Sequence, residues 1–318
     1  MNVKIIFSVV IAFTLVFGSL FLVHFNAKNT SDETNNFAAF SKAFDSTQKP
    51  IFLLGSSHIG QLNTTLIVET IHKKNENFEV YNLAVNGDTP KKRIDNTDDI
   101  IFLEPKIIFY GISFRDFEST AKNDSLNMFY DVKLIIENNI PEEIESINPQ
   151  LHTRRMIRDS LNNFGLMDTP EYNIRPQNTP FFSLGTLETI ISNNDHLERN
   201  LLTVLPSPHE LHIEITNNKQ VEFFKKMIQT FQSKNIKVVI FTTPLHDFYL
   251  AEMSDESKIA FNEILDEISN EFDIKIYHFT DKYSGLQIWN NLDHIAYNEN
   301  SMIFTHDVAE MILLEIDT

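Results

Sequence analysis

The sequence predicts a doubly wound α/β domain held behind an N-terminal membrane anchor. Five short apolar runs, rich in β-branched and aromatic residues, read as strands buried on both faces of a parallel sheet. Amphipathic patterns of helical spacing lie between and after them, and that alternation marks a layered α/β fold. Ahead of both, Ile5–Phe25 carries no formal charge over about 21 residues, a length that spans a hydrocarbon core as a helix.

Lys4 flanks the apolar stretch on one side, and Lys28, Asp32 and Glu33 on the other. This slight positive-inside bias places the N-terminus in the cytoplasm and the body outside. A cleaved signal segment is the alternative, but the stretch exceeds the roughly 7–15 residues of a signal h-region and no clean A-x-A site follows. Residues 1–27 therefore read as a single-pass anchor and 28–48 as a polar linker, with a short helix around Phe37–Phe44. Residues 49–318 read as the folded domain. Asn-x-Ser/Thr triplets at Asn29, Asn63 and Asn123 are no more than an Asn-rich chain produces by chance.

The strands are expected at Ile51–Gly55, Phe78–Val85, Lys106–Ile112, Ile236–Thr242 and Ile274–Phe279. Helical spacing is found at Thr64–Lys74, Asn218–Lys234, Ser257–Phe272 and Asn300–Ile316; in the second of these Val221, Phe224, Ile228 and Phe231 share one face. Phe117–Ile215 breaks the rhythm with Pro141, Pro149, Pro170, Pro176 and Pro180, and reads as an insertion or cap between the third and fourth strands.

Composition excludes several classes of function. A formal net charge of −18 argues against nucleic acid, which needs a concentrated basic surface. The one basic triplet, Lys91-Lys92-Arg93, reads as a solvated loop. With no cysteine there is no disulfide, thiolate metal site or cysteine nucleophile.

Four short pieces at strand ends carry chemistry. The first apolar run ends in Gly55-Ser56-Ser57-His58, which presents Ser57 at the sheet edge where α/β ligands bind, with a free N–H to hold an oxyanion; a plain serine helix cap also fits. Asn86-Gly87 follows the second run, where Gly87 allows close backbone approach, or forms an ordinary turn. Gly111-Ile112-Ser113 ends the third. Trp289–Asn298 precedes the closing helix and holds Asn291, Asp293 and His294; a histidine there can act as general base toward Ser57.

The order of these pieces resembles the SGNH/GDSL hydrolase superfamily. Its members carry G-D-S after the first strand, a Gly after the second, G-x-N after the third and D-x-x-H before the last helix. The resemblance covers roughly residues 50–116 and 236–316, with Ser56 at the usual Asp, Ser113 at the usual Asn and Asn291 at the usual Asp. The G-S-S-H form looks like variants in membrane-anchored cell-surface O-acyl and D-alanyl transfer proteins of this superfamily. What it implies is a three-layer α/β/α sandwich on a five-stranded parallel, flavodoxin-like sheet, with a helical insertion between strands 3 and 4. It implies Ser57 as nucleophile, His294 as base and Asn291 as the residue orienting it. The N–H groups of Ser57 and Gly87, with Ser113 Oγ, would form the oxyanion hole.

The departures have chemical consequences. Ser113 is shorter than Asn, and losing one oxyanion donor costs about two to three decades in rate. Asn291 can hold an imidazole but cannot stabilise imidazolium as a carboxylate does, and in serine proteases that exchange costs on the order of 10⁴-fold in kcat. Asp293, next to His294, is expected to point elsewhere and serve at most as a pocket residue with His58. Asp88, Asp247 and Asp281 are the carboxylates left to substitute. His246, after the fourth strand, is a second pocket candidate, with a surface loop as the alternative. No metal signature such as H-E-x-x-H occurs, no Gly-rich phosphate loop is present, and the resemblance implies no cofactor.

The expected function is a membrane-anchored, extracytoplasmic serine esterase or O-acyltransferase acting on a cell-surface glycan or other exported ester. The alternative is a catalytically degenerate SGNH-fold protein serving as a glycan-binding or cell-envelope assembly component. A third reading is an unrelated anchored α/β protein in which the matches are accidental.

Overall fold

The computed structural model describes residues 40, 44, 49–119, 179–181, 187–201, 208 and 211–316. Five parallel strands, β1 (Lys49–Leu54), β2 (Phe78–Asn82), β3 (Ile107–Ile112), β4 (Lys237–Thr242) and β5 (Ile276–Tyr277), form one sheet in the order β2-β1-β3-β4-β5. This is the flavodoxin-like order, in which the chain starts near the middle and winds both ways. Every residue of β3 is buried, as are all but the first of β1 and β4, whereas the edge strand β2 alternates. That contrast follows from position: central parallel strands are covered on both faces.

Two helical layers do the covering. In register, Tyr110 lies beside Ile240 and Gly111 beside Phe241, so the side chains of Tyr110 and Phe241 point to opposite faces. Tyr110 meets Phe224 of the helix Lys219–Ser233, at 4.9 Å between ring centres. Phe241 meets Phe304 of the closing helix Ile303–Ile316 at 6.4 Å. Each fully buried aromatic of this kind contributes about 1.5–3 kcal/mol through burial.

Helix ends follow local capping chemistry. Asn218 accepts from the N–H groups of Gln220 and Val221, Ser254 from Ser257, and Asn63 from Leu66. Helix Asp255–Phe272 ends on Asp273 in the left-handed region, at φ 52°. The fifth strand is shorter than its apolar run, with only Ile276 and Tyr277 paired to β4. Beyond them the N–H groups of Phe279 and Thr280 turn to Thr242 Oγ1, at 2.8 and 3.1 Å, which ends the ladder.

The basic triplet is not a solvated loop throughout. Pro90–Arg93 is a short helix, and Arg93 is fully buried. Its Nε and Nη2 lie 2.7 and 2.6 Å from Asp88 Oδ2, and Nη2 also donates to Leu83 O. The carboxylate five residues earlier takes this cation inside, while Lys91 and Lys92 stay exposed.

Within the stretch expected as linker, Phe40 and Phe44 pack edge-on against Tyr81, at 6.3 and 5.0 Å, and Phe44 also meets Phe52. The apolar segment Ile5–Phe25, and most of the insertion, lie outside the described residues. Among the described residues no helix is long and apolar enough to cross a membrane. Of the insertion, the helix Asn194–Asn200 and the strip 187–192 are described, and that strip runs beside the 289–298 loop.

Candidate active site

The chain turns sharply where β1 ends. Gly55 sits at φ +141°, and a Cβ there would meet Gly111 O at 2.6 Å and Ile59 Cγ1 at 2.7 Å. Gly111 is equally confined, since its Cβ would meet Ile59 Cδ1 at 2.1 Å. The two glycines thus let the single turn Ser57–Gly60 lie directly on β3, which sets Ser57 at the carboxyl edge of the sheet. Among the described residues no acceptor faces the N–H groups of Ser57 and His58.

Ser57 Oγ lies 2.8 Å from His294 Nε2. On the other side of the ring, His294 Nδ1 lies 2.9 Å from Asp293 Oδ1 and 3.2 Å from Asn291 Oδ1. A proton on Nδ1 shared toward these oxygens leaves the Nε2 lone pair facing the Ser57 hydroxyl. The expectation that Asp293 points elsewhere is therefore corrected. Asn291 Oδ1 accepts the N–H groups of Asp293 and His294 at 3.0 and 2.8 Å, an Asx-type turn that folds the Asp293 carboxylate back onto its neighbour's ring. Asn291 forms the turn, and Asp293 supplies the charge.

Asp293 is buried with Oδ2 facing two more groups: Arg115 Nη1 at 2.9 Å and His58 Nε2 at 3.5 Å. Burial alone would raise its pKa, but the charge and hydrogen bond of His294, helped by His58 and Arg115, hold it well below the usual carboxylate range. Burial works against a charged His294 as well, yet the Asp293 carboxylate, with Glu188, raises its pKa above 6.5. His58 stacks on His294, 4.6 Å between ring centres and 11° from parallel, and its Nδ1 lies 2.8 Å from Ser56 Oγ. Burial pushes the His58 pKa down to about 4, so this ring stays neutral beneath the charged pair.

The remaining predicted residues separate. Gly87 is exposed at φ +65°, two residues beyond the point where Val85 N–H bonds Gly55 O, and no acceptor faces its N–H among the described residues. Ser113 is buried with its hydroxyl committed elsewhere: Oγ and backbone N donate to Asp116 Oδ2 at 2.9 and 2.6 Å. Its side chain is a cap for the turn Phe114–Phe117, so the expected Ser113 oxyanion contact is withdrawn. His246 is not a surface-loop residue. It is buried, its Nδ1 accepts from Phe248 N at 3.1 Å, and its ring meets Trp289 edge-on at 5.6 Å. With its N–H on Leu292 O at 2.9 Å, it braces the loop that carries His294.

Two contributors had no motif to announce them. Arg115 belongs to the turn after β3, and Glu188 to the insertion, where its Oε2 accepts from Asn291 Nδ2 at 2.9 Å. For Asp293 a signal was present, because asparagine readily bonds the backbone two and three residues on, and Asn291-Leu292-Asp293-His294 has that spacing.

Ligand-type atoms of His58, Asp293 and His294 lie within 4.8 Å of one another. Ser57 meets the Nε2 edge of His294, Ser56 meets His58 Nδ1 and the Arg115 cation lies against Asp293, while His58 Nε2 and Asp293 Oδ2 have no hydrogen-bond partner among the described residues. A small depression borders His58, Gln61 and Asp293, but Ser57 is not part of its wall.

The fold and site together describe an α/β protein with a serine, a histidine and an aspartate aligned at the carboxyl edge of its sheet. No family model matches the chain, and no curated protein matches it. Similar solved structures include proteins of the SGNH/GDSL hydrolase fold. An acetyl xylan esterase superposes with a TM-score of 0.45 and 10% identity, over 84% of this chain and 99% of that one. A lipase/acylhydrolase from Enterococcus faecalis gives 0.44 and 11%, over 85% and 95%. TesA gives 0.33 and 9%, over 72% and 77%. Identities this low and superpositions this loose assign no chemistry to the present chain.

Proposed function

We propose that this protein is a serine esterase or O-acyltransferase, anchored in a membrane and acting outside the cytoplasm on a cell-surface glycan or other exported ester. One observation carries the chemistry: Ser57 Oγ is hydrogen-bonded to His294 Nε2 at 2.8 Å, and Nδ1 of the same ring is hydrogen-bonded to Asn291 Oδ1 at 3.2 Å and ion-paired with Asp293 Oδ1 at 2.9 Å. The anchored, extracytoplasmic part of the reading is supported by the uncharged length of Ile5–Phe25.

In this reading His294 Nε2 takes the Ser57 proton as Oγ attacks the acyl carbonyl. The imidazolium that forms is stabilised by Asp293, which stays ionised. The tetrahedral oxyanion is met by the N–H groups of Ser57 and Gly87, which have no acceptor among the described residues. His294 then returns its proton to the leaving alcohol, freeing it and leaving an acyl-serine. Water, or an acceptor hydroxyl deprotonated by the same imidazole, completes hydrolysis or transfer and restores the Ser57 hydroxyl.

The alternative of a catalytically silent glycan-binding or assembly component drew on two replaced residues. Asp293 offers the charge that Asn291 lacks, which favours catalysis, whereas the commitment of Ser113 to Asp116 leaves the other replacement uncompensated. The test is labelling of the full-length protein in detergent with a fluorophosphonate, alongside hydrolysis of short-chain aryl acetates. Labelling and turnover are expected in the wild type, and both vanish in Ser57→Ala. An unlabelled, inactive wild type whose fold is intact would return the protein to the binding class. Adding a sugar alcohol separates the two reactions, because a transferase passes the acetyl group to it and a hydrolase to water.

A further inference from the structure

The strip 187–192 is fastened to the catalytic loop at several points. Glu188 N–H donates to Gln61 Oε1 at 3.1 Å, and Glu188 O accepts from Tyr297 N at 2.6 Å. Ser192 N–H donates to Trp289 O at 2.7 Å, Ser192 Oγ to Asn290 O at 2.5 Å, and Asn290 Nδ2 to Ile190 O at 2.8 Å. These bonds aim the Glu188 side chain at the site. Its Oε2 accepts from Asn291 Nδ2 at 2.9 Å and stands 3.7 Å from His294 Nδ1.

We propose that Glu188 is a positioning residue of this site: it locks the Asn291 amide and places a second carboxylate at the Nδ1 edge of His294, so the insertion strip steadies and tunes the Ser57–His294 pair. This rests on the reading of Ser57 and His294 as nucleophile and base. Asn291 Oδ1 holds the N–H groups of Asp293 and His294, so the torsion of one amide sets where both side chains lie. Glu188 is the partner that fixes that torsion from the far end. Without it the amide can rotate, and the turn loosens where misplacement by about 1 Å costs on the order of 10²-fold in rate.

Glu188 also acts through charge. The groups facing the imidazole are Asp293 and Asn291 from its own loop, Glu188 from the strip, His58 from the turn after β1 and Arg115 from the turn after β3. Two are carboxylates that favour imidazolium, and Arg115 opposes them. The Glu188 side chain is about one-third exposed, which tempers its effect without removing it. A base must be neutral to take the serine proton, so each carboxylate at this edge moves the rise of activity to higher pH.

Two substitutions separate the contributions. Glu188→Gln keeps an acceptor for Asn291 Nδ2 and removes the charge; Glu188→Ala removes both. Aryl acetate turnover of the full chain, measured as kcat/KM and kcat against pH, should show the acid-side midpoint falling by roughly half a unit to one unit in Glu188→Gln, with plateau kcat within about twofold. Glu188→Ala should show the same shift and a plateau kcat about tenfold lower, with KM within about twofold. A midpoint reports the active fraction only, so partial unfolding lowers the amplitude without moving it. Turnover that depends on Ser57 but has an unmoved midpoint in both variants would overturn the role of Glu188 alone. Turnover that persists in Ser57→Ala would instead overturn the reading on which it rests.

Discussion

The two ends of the sheet each hold a carboxylate among cations and hydrogen-bond donors, and they use it differently. At the amino edge, Glu315 of the closing helix accepts from Tyr277 OH at 2.5 Å and lies 3.0 Å from the ammonium groups of both Lys237 and Lys275. At the carboxyl edge, Asp293 faces His294, Arg115 and His58. Burial would raise both acids, and in both the partners win: Glu315 is held down to about 2, Asp293 well below its usual range. What differs is the partner that titrates. Hydrogen bonds with Tyr277 and Glu315 raise the Lys275 pKa above its ordinary value, so this pairing persists through neutral pH, and the Glu315 cluster ties β4, β5 and the last helix together. His294 changes charge near neutral pH, and its far nitrogen faces a hydroxyl. A stabilised carboxylate alone is scaffold; one behind a histidine that faces a serine is set up for proton transfer.

Substitutions at the two edges should differ widely in effect. Ser57→Ala should remove turnover by about four decades or more while leaving circular dichroism and the melting temperature unchanged. Asp293→Asn should lower kcat by on the order of 10⁴-fold, seen as aryl acetate turnover with the fold retained, because the imidazolium loses its counter-charge. The pH profile sharpens the contrast. Since Asp293 and Glu188 raise His294 above 6.5, kcat/KM should climb with pH through a midpoint above that value, the imidazolium form below it being inactive. Glu315→Gln should be smallest, with turnover unchanged and melting lowered by roughly 3 °C at neutral pH. The Glu315 pKa is depressed on folding, so its stabilisation is present above about 4.5 and is lost as pH falls toward about 2; the gap between wild type and variant should close over that window.

The fold was legible because period and composition carry it. Five apolar runs became five parallel strands, and the helical patterns match helices to within a few residues at their ends. The ends moved where side chains intervened, as at β5, where Thr242 takes the N–H groups that would have extended the ladder. Arg93 was misread because a run of basic residues is ordinarily solvated, and only the fold shows Asp88 turned inward to receive it. In the site, strand-end placement made Ser57 and His294 legible as a pair. The direction of Asp293 was not, since a side chain's aim beside its neighbour depends on the Asn291 turn. Glu188 lies 103 positions from the amide it holds, and no local pattern connects them.

The most direct test of the Ser57–His294–Asp293 line is rapid quenching of the wild-type protein with p-nitrophenyl acetate, followed by peptide mass spectrometry. An acetyl group on Ser57, formed within one turnover and absent in His294→Ala, is the result this arrangement predicts. Turnover that proceeds with Ser57 unmodified, or with the acetyl group on another residue, would contradict it.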